Sequence, residues 1–421
     1  MANILFLTQV LPYPLHSGAK IRAYYVLRHL AQKHRVTLVS FVREDDRPEA
    51  VEHLRSCCHA VHTVPMQRSL LRNVRAGIQA GVTGRSIIIA RDEIAAMFRL
   101  LRRLVTTEKF DVVHADQTSM AQYALYVRRL KASANSGRPV KAVLDAHNAL
   151  YRIPERMAQH EPNPLLRRLY LREARALVRF EVGAYRKFDH VVFVTDVDRG
   201  LLQPRLAGTD GADPPHHTEL PFTTIPICVD PVEKPLVHRV CFPRAITHLG
   251  TMFWPPNIEG VLWFGKEVFP LVLAQVPEAR FVVIGKDPPQ AVQDLSLQVR
   301  RVEVTGYVPD PLSYLAETAV FIVPLHAGGG MRVKIVDAWS WGLPVVATTV
   351  GAEGIEAEDG ASLLIADTPL AMAGAVTRIL QDPALGQRLR QAGRQQVEQH
   401  YNWRTVYQKW DTVYDLLLHA P

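Results

Sequence analysis

The stretch AGGGMRVKIVDAWSWGLPVVATTVGAEG, residues 327–354, is the part of this chain that says most about its fold. It opens on three consecutive glycines, Gly328, Gly329 and Gly330. A segment with helical character follows, stops at residues 342–344 and leads into an apolar run at 345–347. A glycine loop, a helix and a buried strand in this order are typical of an α/β domain that binds a nucleotide at the start of the helix.

Two basic residues, Arg332 and Lys334, are predicted to lie in the first turn of that helix. Cations are disfavoured there, because the free N–H groups already give a helix N-terminus about half a positive charge. Two cations beside a backbone that a ligand can approach closely therefore indicate a phosphate as the missing anion. The alternative is an ordinary glycine turn, since Arg and Lys are also good helix formers.

Three further residues of this half are candidates to bind substrate. Asp337 follows Lys334 by three residues, a spacing that fits an intrahelical ion pair. A carboxylate near a nucleotide also accepts hydrogen bonds from a ribose diol, and this is the functional alternative. Tyr307 and Val308 lie in the turn after the predicted strand 301–305, where they either contact a base or cap the strand.

Length and composition indicate a globular protein with two domains. The chain has 421 residues, of which 48% are hydrophobic and 21% charged, and it is too long for one ordinary core. No apolar run reaches the ~18 residues that a membrane span needs, and the N-terminus lacks the basic segment of a secretory signal.

We expect reduced thiols in a cytoplasmic protein, because no zinc-site spacing links the four cysteines, Cys57, Cys58, Cys228 and Cys241.

The net charge of +8 comes largely from two arginine-rich regions, residues 68–103 and 152–187. Solvated helix faces are the simplest explanation. Attraction to an anionic surface, either phospholipid or an acidic acceptor, is the functional alternative, and it predicts a peripheral contact with the inner face of the cell membrane. Nucleic acid is not expected, because no recognisable binding module accompanies the charge.

Short apolar strands alternate with helices along both halves, a pattern that predicts parallel sheets covered on both faces. Strands are predicted at 3–7, 36–42, 110–114, 141–145, 190–194, 245–249, 280–284, 301–305, 319–323 and 344–347. A proline-rich stretch separates the halves. We therefore expect an α/β protein with two doubly wound parallel-sheet (Rossmann-like) domains facing across a cleft. The predicted parts are an N-terminal domain at 1–205, a linker at 206–243, a C-terminal domain at 244–400 and a C-terminal helix at 401–421 that returns to the N-terminal domain.

Gly18 lies in the loop between the first predicted strand and the first predicted helix. A small residue there lets a bound ligand meet the backbone and the helix N-terminus, although a turn requirement explains the glycine equally well. The nicotinamide fingerprint G-x-G-x-x-G does not follow this strand, and the P-loop pattern of ATPases is absent from the chain.

Potential ligands follow two strands of the N-terminal half. His114 and Asp116 end one strand, and Asp145 and His147 end another. Four such groups suggest a metal hydrolase, but their spacing does not show that they converge. His147, followed by Asn148, is alternatively placed to donate a hydrogen bond to charge that develops on a substrate, or is a loop histidine satisfied by backbone.

The chain resembles the retaining glycosyltransferases of family 4, which have the GT-B fold. The resemblance rests on GGGMRVKIVDAWSWGLPVVATTVGAEG (328–354), HLGTMFWPPNIEG (248–260), VTGYVPD (304–310) and LDAHN (144–148). Within that family it is most similar to sugar transferases of bacterial exopolysaccharide clusters.

This resemblance implies a hexosyltransferase whose nucleotide-sugar donor, of the UDP or GDP type, is bound mainly by the second domain. A glycan or lipid-linked glycan acceptor is expected mainly on the first domain. The family needs no metal and no other cofactor, because basic side chains and helix N-termini stabilise the leaving diphosphate. In this chain that role falls to Arg332, Lys334 and the N–H groups around Gly329 and Gly330.

Three other residues match the family's motifs one by one. Asp337 matches the carboxylate that holds the ribose. His147 matches the histidine near the reacting sugar, where it stabilises the transition state, and Gly18 matches the glycine of the first domain beside the phosphates.

Two departures from the family pattern concern the donor. Many members carry two glutamates separated by seven residues, and here Gly329 stands in place of the first. The Arg and Lys that usually follow the first strand of the second domain are also absent, and Arg332 and Lys334 are expected to replace their charge.

A GT-B sugar epimerase and a non-catalytic scaffold of a polysaccharide assembly are the alternatives to a glycosyltransferase. The first needs carboxylates at the sugar ring, and the second predicts a damaged nucleotide site.

Overall fold

The computed structural model describes residues 1–67, 70–133, 139–207, 221–239 and 243–419. Arg68, Cys241 and residues 208–220 and 240–242 of the predicted linker 206–243 lie outside the described residues. The strands within the described residues form two sheets, and each sheet is the centre of one compact unit. Unit 1 comprises Met1–Cys228 and Trp403–Pro421, and unit 2 comprises Val229–Asn402.

The strands of unit 1 are β1 (Asn3–Thr8), β2 (Arg35–Val42), β3 (Ala60–Pro65), β4 (Val112–Asp116), β5 (Lys141–Ala146), β6 (His190–Phe193) and β7 (Phe222–Thr224). The strands of unit 2 are β8 (Ala245–Leu249), β9 (Arg280–Ile284), β10 (Val302–Gly306), β11 (Thr318–Val323), β12 (Val345–Ala347) and β13 (Leu364–Ile365).

The helices before residue 208 are α1 (Gly18–Ala31), α2 (Pro48–Cys57), α3 (Leu70–Thr83), α4 (Ile87–Arg91), α5 (Ala95–Thr107), α6 (Ala121–Ser133), α7 (Arg152–His160), α8 (Pro164–Tyr185) and α9 (Asp196–Ala207). The helices of unit 2 are α10 (Pro255–Trp263), α11 (Phe269–Gln275), α12 (Gln290–Gln293), α13 (Leu295–Gln298), α14 (Leu312–Ala316), α15 (Val333–Ser340), α16 (Pro369–Gln381) and α17 (Pro383–His400). The last helices, in unit 1, are α18 (Trp403–Val406) and α19 (Gln408–His419).

The sheet of unit 1 has the strand order β3-β2-β1-β4-β5-β6-β7, and every neighbouring pair is parallel. The order reverses between β1 and β4, so the unit is doubly wound. The register places Thr8 opposite Asp116, and Asp116 opposite Asp145, at the carboxyl ends of three adjacent strands. These strands are buried along nearly their whole length, as expected for a parallel sheet with helices on both faces.

Unit 2 repeats this architecture with the order β10-β9-β8-β11-β12-β13, again with parallel pairs only. Its order reverses between β8 and β11. The predicted strands 245–249 and 280–284 are confirmed with the same bounds, because each is a run of apolar residues that the sheet buries. The expectation of two doubly wound parallel-sheet domains is therefore correct.

The sequence analysis missed three strands, β3, β7 and β13, and each lies at the edge of its sheet. β7 and β13 are only three and two residues long, and β3 is only partly buried, so these strands lack the continuous apolar run by which a central strand is recognised. Pairing of β7 with β6 also moves the boundary of the first domain from the predicted 205 to Cys228. Residues 403–419 group with unit 1, where Trp403 stacks on Tyr25 at a ring distance of 5.4 Å.

The spacing of Ala23, Val26, Leu27 and Leu30, at i, i+3, i+4 and i+7, predicts a helix with one apolar side. All four residues lie on α1 and are buried. None of the helices in the described part of the chain is long and apolar enough to span a bilayer.

Gly260 allows α10 to pack closely on the segment that follows β11. A Cβ at this position would lie 2.2 Å from the carbonyl oxygen of Pro324, which is backbone and has little freedom to move. We expect Gly260→Ala to lower the free energy of unfolding by about 1–3 kcal/mol, because the added methyl overpacks the contact. Gly374 is the matched control, since it also lies in a helix but has no neighbour within 4 Å of a built Cβ. Gly374→Ala should be neutral or stabilising by up to about 1 kcal/mol. Equal denaturation midpoints for the two variants would contradict the packing argument.

Candidate functional site

The strand order of each unit reverses once, and ligands of doubly wound sheets bind outside the carboxyl ends of the strands at such a reversal. In unit 2 the reversal lies between β8 and β11, and Gly250 directly follows β8. In unit 1 it lies between β1 and β4, and β4 ends at Asp116.

In unit 2 three polar side chains converge on Gly250. A Cβ built on this glycine would lie 2.8 Å from Asn257 Nδ2, 2.9 Å from Lys334 Nζ and 3.1 Å from His248 Nε2. A side chain at residue 250 would displace these groups, so the position requires glycine for space. We call this group of four residues the Gly250 cradle.

Lys334 is the charged member of the cradle. Its Nζ donates to Asn257 Oδ1 at 2.8 Å, and Asn257 Nδ2 in turn donates to the carbonyl of Thr251 at 2.8 Å. Among the described residues no carboxylate forms an ion pair with Lys334. Burial, together with the nearby positive charge of Arg332, lowers the pKa of Lys334 to about 7. The structure thus places an ammonium group beside the end of β8, where the chain lacks the basic residues of the family pattern.

His248 is fully buried and supplies an acceptor to the cradle. Its Nδ1 donates to the carbonyl of Ile322 at 3.2 Å, and its Nε2 has no hydrogen-bond partner among the described residues. Burial, and secondarily the charge of Lys334, holds the pKa of His248 well below its ordinary value. The imidazole is therefore neutral at physiological pH, with an unprotonated Nε2.

Arg332 does not lie in the first turn of the helix, as predicted, but directly precedes α15. Its side chain is only 4% exposed, and the guanidinium donates to the carbonyls of Gly329 at 2.6 Å, Gly330 at 3.1 Å and Val350 at 3.2 Å. It therefore braces the glycine loop from within. The loop itself needs glycine, because Gly330 has a φ of 72°.

Asp337 is one turn further along α15, and its ion-pair partner is Lys234 and not Lys334. The interpretation of an intrahelical pair with Lys334 is thus wrong, because Lys334 points to the Gly250 cradle. Tyr307 is exposed after β10, whereas Val308 packs against the small apolar group formed with Ala245.

In unit 1 the centre of the reversal is a buried ion pair. Arg22, on α1, donates from Nε and Nη2 to the two carboxylate oxygens of Asp145 at 2.8 and 3.0 Å. Both side chains are fully buried. Burial alone would raise the pKa of Asp145, but Arg22 and His147 outweigh it and hold that pKa below its ordinary value. Tyr407 and Trp410 cover the guanidinium, with ring centroids 5.3 and 5.2 Å away.

His147 forms a second pair in the same cluster. Its Nε2 donates to Asp116 Oδ1 at 2.9 Å, and this leaves Nδ1 as the ring nitrogen not engaged by Asp116. Burial opposes the charged imidazole, but Asp116 and Asp145 outweigh it and raise the pKa of His147. The histidine is therefore held by carboxylate and not by backbone, which removes the simpler of the two interpretations made from the sequence.

Three of the four potential metal ligands converge. Single donor atoms of Asp116, Asp145 and His147 lie within 4.8 Å of one another, although the spacing in the sequence did not show it. The fourth, His114, does not join this group: its Nδ1 is hydrogen-bonded to the hydroxyl of Tyr414 at 2.9 Å. Burial lowers the pKa of His114 to about 3. The convergent set does not fit a divalent ion well, because Arg22 already occupies both oxygens of Asp145 with a fixed positive charge.

The remaining predicted positions of unit 1 lie close to these strand ends in sequence. Gly18 is the first residue of α1, four residues before Arg22. Asn148 is partly exposed in the turn after β5, directly after His147.

Arg22, His248 and Asn257 were not singled out from the sequence. Arg22 gave a usable signal, since it is a charge next to the apolar stripe of α1. Asn257 lies within the quoted motif HLGTMFWPPNIEG, but only the fold shows that its amide meets a lysine 77 residues later. His248 gave no signal, because a histidine in a strand is commonly a core residue.

Comparisons with known proteins agree with this architecture. Residues 243–382 match the model of the family described as Glycosyl transferases group 1. An uncharacterised 44.6 kDa protein in the cps region of Klebsiella pneumoniae is 20% identical over 393 residues, which cover 87% of this chain and 88% of that protein.

Solved structures show the same fold over nearly the whole chain. HepE from Anabaena in complex with UDP and glucose has a TM-score of 0.66 at 15% identity, over 99% of this chain and 100% of that chain. Sucrose-phosphate synthase from Thermosynechococcus elongatus has a TM-score of 0.69 at 17% identity, with 100% of both chains covered. The fold is GT-B, and together with the group 1 domain it supports a glycosyltransferase of GT-B type.

The Arg22–Asp145 pair is expected to stabilise unit 1. Arg22→Met leaves a buried carboxylate unpaired and should lower the free energy of unfolding by about 3–5 kcal/mol. Because the pKa of Asp145 is depressed in the folded protein, this stabilisation is present above the ordinary carboxyl pKa and is lost as the pH falls. Arg55→Met is the control, since Arg55 pairs with Glu52 on the surface and should cost under about 1 kcal/mol. Equal losses for both variants in chemical denaturation would contradict the argument.

Proposed function

We propose that this protein transfers a sugar, with retention, from a nucleoside-diphosphate sugar to a glycan or lipid-linked glycan in polysaccharide synthesis. Unit 2 binds the donor, and unit 1 binds the acceptor and supplies His147. The reaction breaks the bond between the anomeric carbon and the diphosphate, and it forms a bond from that carbon to the oxygen of an acceptor hydroxyl. The hydroxyl gives up its proton, which the departing diphosphate accepts.

The ammonium group of Lys334 is the observation that carries the proposal. Lys334 is partly buried and has no carboxylate partner among the described residues; such a cation is costly, and a bound anion would supply the missing charge. The cradle lies outside the carboxyl end of β8 at the strand-order reversal, which is the usual place for a ligand in this architecture. A diphosphate is an anion of suitable charge for a site that also holds the positive potential of Arg332.

The glycine loop supports the same role. Arg332 binds the carbonyls of Gly329 and Gly330 from one side and so supports the conformation of the loop. A preorganised loop costs less to bind, because its ordering has occurred during folding. Asp337 is proposed to accept hydrogen bonds from the ribose, in competition with Lys234.

His147 is proposed to stabilise the negative charge that develops on the leaving group. Asp116 and Asp145 favour its protonated form, and a protonated imidazole donates a hydrogen bond to developing negative charge. No metal or further cofactor is required, because Lys334 and Arg332 supply the positive charge that a metal would provide.

The relatives support the choice of substrates. HepE was solved with UDP and glucose, which favours a UDP-linked hexose as the first donor to test. The relative in the cps region of Klebsiella pneumoniae favours a role in polysaccharide synthesis.

UDP binding is expected to depend on the charge of Lys334. The lysine is protonated below about pH 7 and loses its charge above it, so affinity for UDP should fall by roughly tenfold or more between pH 7 and pH 9. Lys334→Met should weaken binding at pH 7 by about 1.5–3 kcal/mol and remove most of the pH dependence. Calorimetric titration with UDP measures both effects.

The matched control is Lys266→Met, because Lys266 is exposed on unit 2. It should bind UDP as the unchanged protein does. Unaltered affinity in Lys334→Met would remove the basis of the donor site, whatever the activity of the protein.

His147→Ala is expected to lower kcat by roughly 10²–10³-fold while the affinity for UDP changes little. The reason is that the imidazole is proposed to act on charge present only in the transition state. Steady-state kinetics with a UDP-hexose, alongside UDP titration, separates the two quantities. His59→Ala on unit 1 is the control for loss of a histidine. A parallel loss of kcat and of UDP affinity would assign His147 to binding instead.

A further inference from the structure

Two helices of unit 1 present an apolar surface to solvent. Large hydrophobic side chains are exposed on α3 and on the first turns of α8. We define the α3/α8 face by these residues, Val74, Ile78, Val82, Leu165, Leu166 and Leu169.

Over residues 73–83 of α3, large apolar side chains face solvent and small ones face the protein, which is opposite to an ordinary surface helix. Val74, Ile78 and Val82 follow one another at intervals of four and therefore share one side of the helix. Among residues 73–83, the part of α3 whose side chains are described, the small residues Ala76 and Ala80 are the buried ones. A surface helix normally turns its large apolar residues inward, so this orientation needs a partner outside the fold.

The start of α8 repeats the feature with charge added. Residues 164–169, PLLRRL, are all exposed, and Leu165 alone is 73% exposed. Arg167 and Arg168 stand between the leucines. A short stretch thus offers apolar side chains and two cations to the same surroundings.

Hydrogen bonds join the two helices into one body. Arg172, on α8, donates to the carbonyls of Ala80 and Arg85, the second at 3.0 Å. Arg179 donates to the carbonyl of Gly84, also at 3.0 Å. The two apolar strips are therefore fixed parts of one structure and not separate flexible ends.

The two stretches of sequence that carry the face contain basic residues and no acidic ones. The sequence contains no Asp or Glu from residue 66 to residue 91 or from residue 162 to residue 172, while both stretches are rich in arginine. Apolar side chains flanked by cations match the boundary of an anionic bilayer, where hydrocarbon and negative head groups lie together. A second copy of this chain is a poor partner, because it would bring two arginine-rich surfaces together.

We propose that the α3/α8 face docks the protein on an anionic phospholipid bilayer, with the leucines and valines entering the head-group boundary and the arginines binding the phosphates. This inference rests on the geometry of unit 1 alone and does not require the proposed sugar transfer.

Vesicle flotation of the full chain tests the proposal. The unchanged protein should float with vesicles of phosphatidylcholine containing about one third phosphatidylglycerol, and much less with phosphatidylcholine alone. Val82→Gln with Leu165→Gln should weaken the partition roughly tenfold or more, since each change removes an exposed apolar group. Arg75→Gln with Arg167→Gln and Arg168→Gln should weaken it by a similar factor at low salt and by less at high salt.

The controls match the variants in exposure. Val82 is 83% exposed and Leu297 84%, while Leu165 is 73% exposed and Leu370 74%. Leu297→Gln with Leu370→Gln, both in unit 2, should float as the unchanged protein does. Absence of flotation with anionic vesicles overturns the proposal, as does equal flotation of the Val82/Leu165 variant and its control. Concentration-dependent dimerisation without lipid, lost in the Val82/Leu165 variant, assigns the face to a second copy and also overturns it.

Discussion

The ammonium group of Lys334 is partly buried in unit 2, and no carboxylate among the described residues balances its charge. Asn257 holds the ammonium through a neutral amide, so it fixes the position of the charge without cancelling it. Gly250 leaves the space beside it open, and Arg332 adds positive potential while bracing the glycine loop. An uncompensated buried charge costs stability unless a ligand supplies the counter-charge, and this is the physical reason for placing the donor diphosphate here.

In unit 1, by contrast, the basic side chains at the strand ends are paired with carboxylates. Arg22 meets both oxygens of Asp145, and His147 meets Asp116, so each positive group has an anionic partner within the fold. Such pairs contribute little net stability compared with an apolar core, but they fix orientation. The result is a rigid base on which His147 is held with its ring in one position. One unit thus keeps a charge available for a ligand, and the other uses its charges to position a side chain.

Much of the fold could be predicted from the sequence because the central strands of a parallel sheet are continuous apolar runs. β8 and β9 are recognised with their bounds, and α1 is recognised from its stripe. The edge strands β7 and β13 were missed because they are very short, and β3 because it is only partly buried. The exposure of the apolar side of α3 could not be predicted from the sequence, because the same spacing of Val74, Ile78 and Val82 fits a buried stripe equally well. Only packing of Ala76 and Ala80 against the body shows which side faces outward.

The sequence by itself determined the alternation of strands and helices, the glycine loop, and the presence of Arg332, Lys334, His147 and Asp337, because these depend on neighbours within a few residues. The tertiary structure decided what each of them contacts. It turned Arg332 onto the carbonyls of its own loop, joined Asp337 to Lys234, and brought Lys334 to an asparagine on another helix. It also joined His147 to Asp116, from a neighbouring strand, although the two are 31 residues apart. Contacts between residues distant in sequence depend on strand order and register, and no local pattern carries that information.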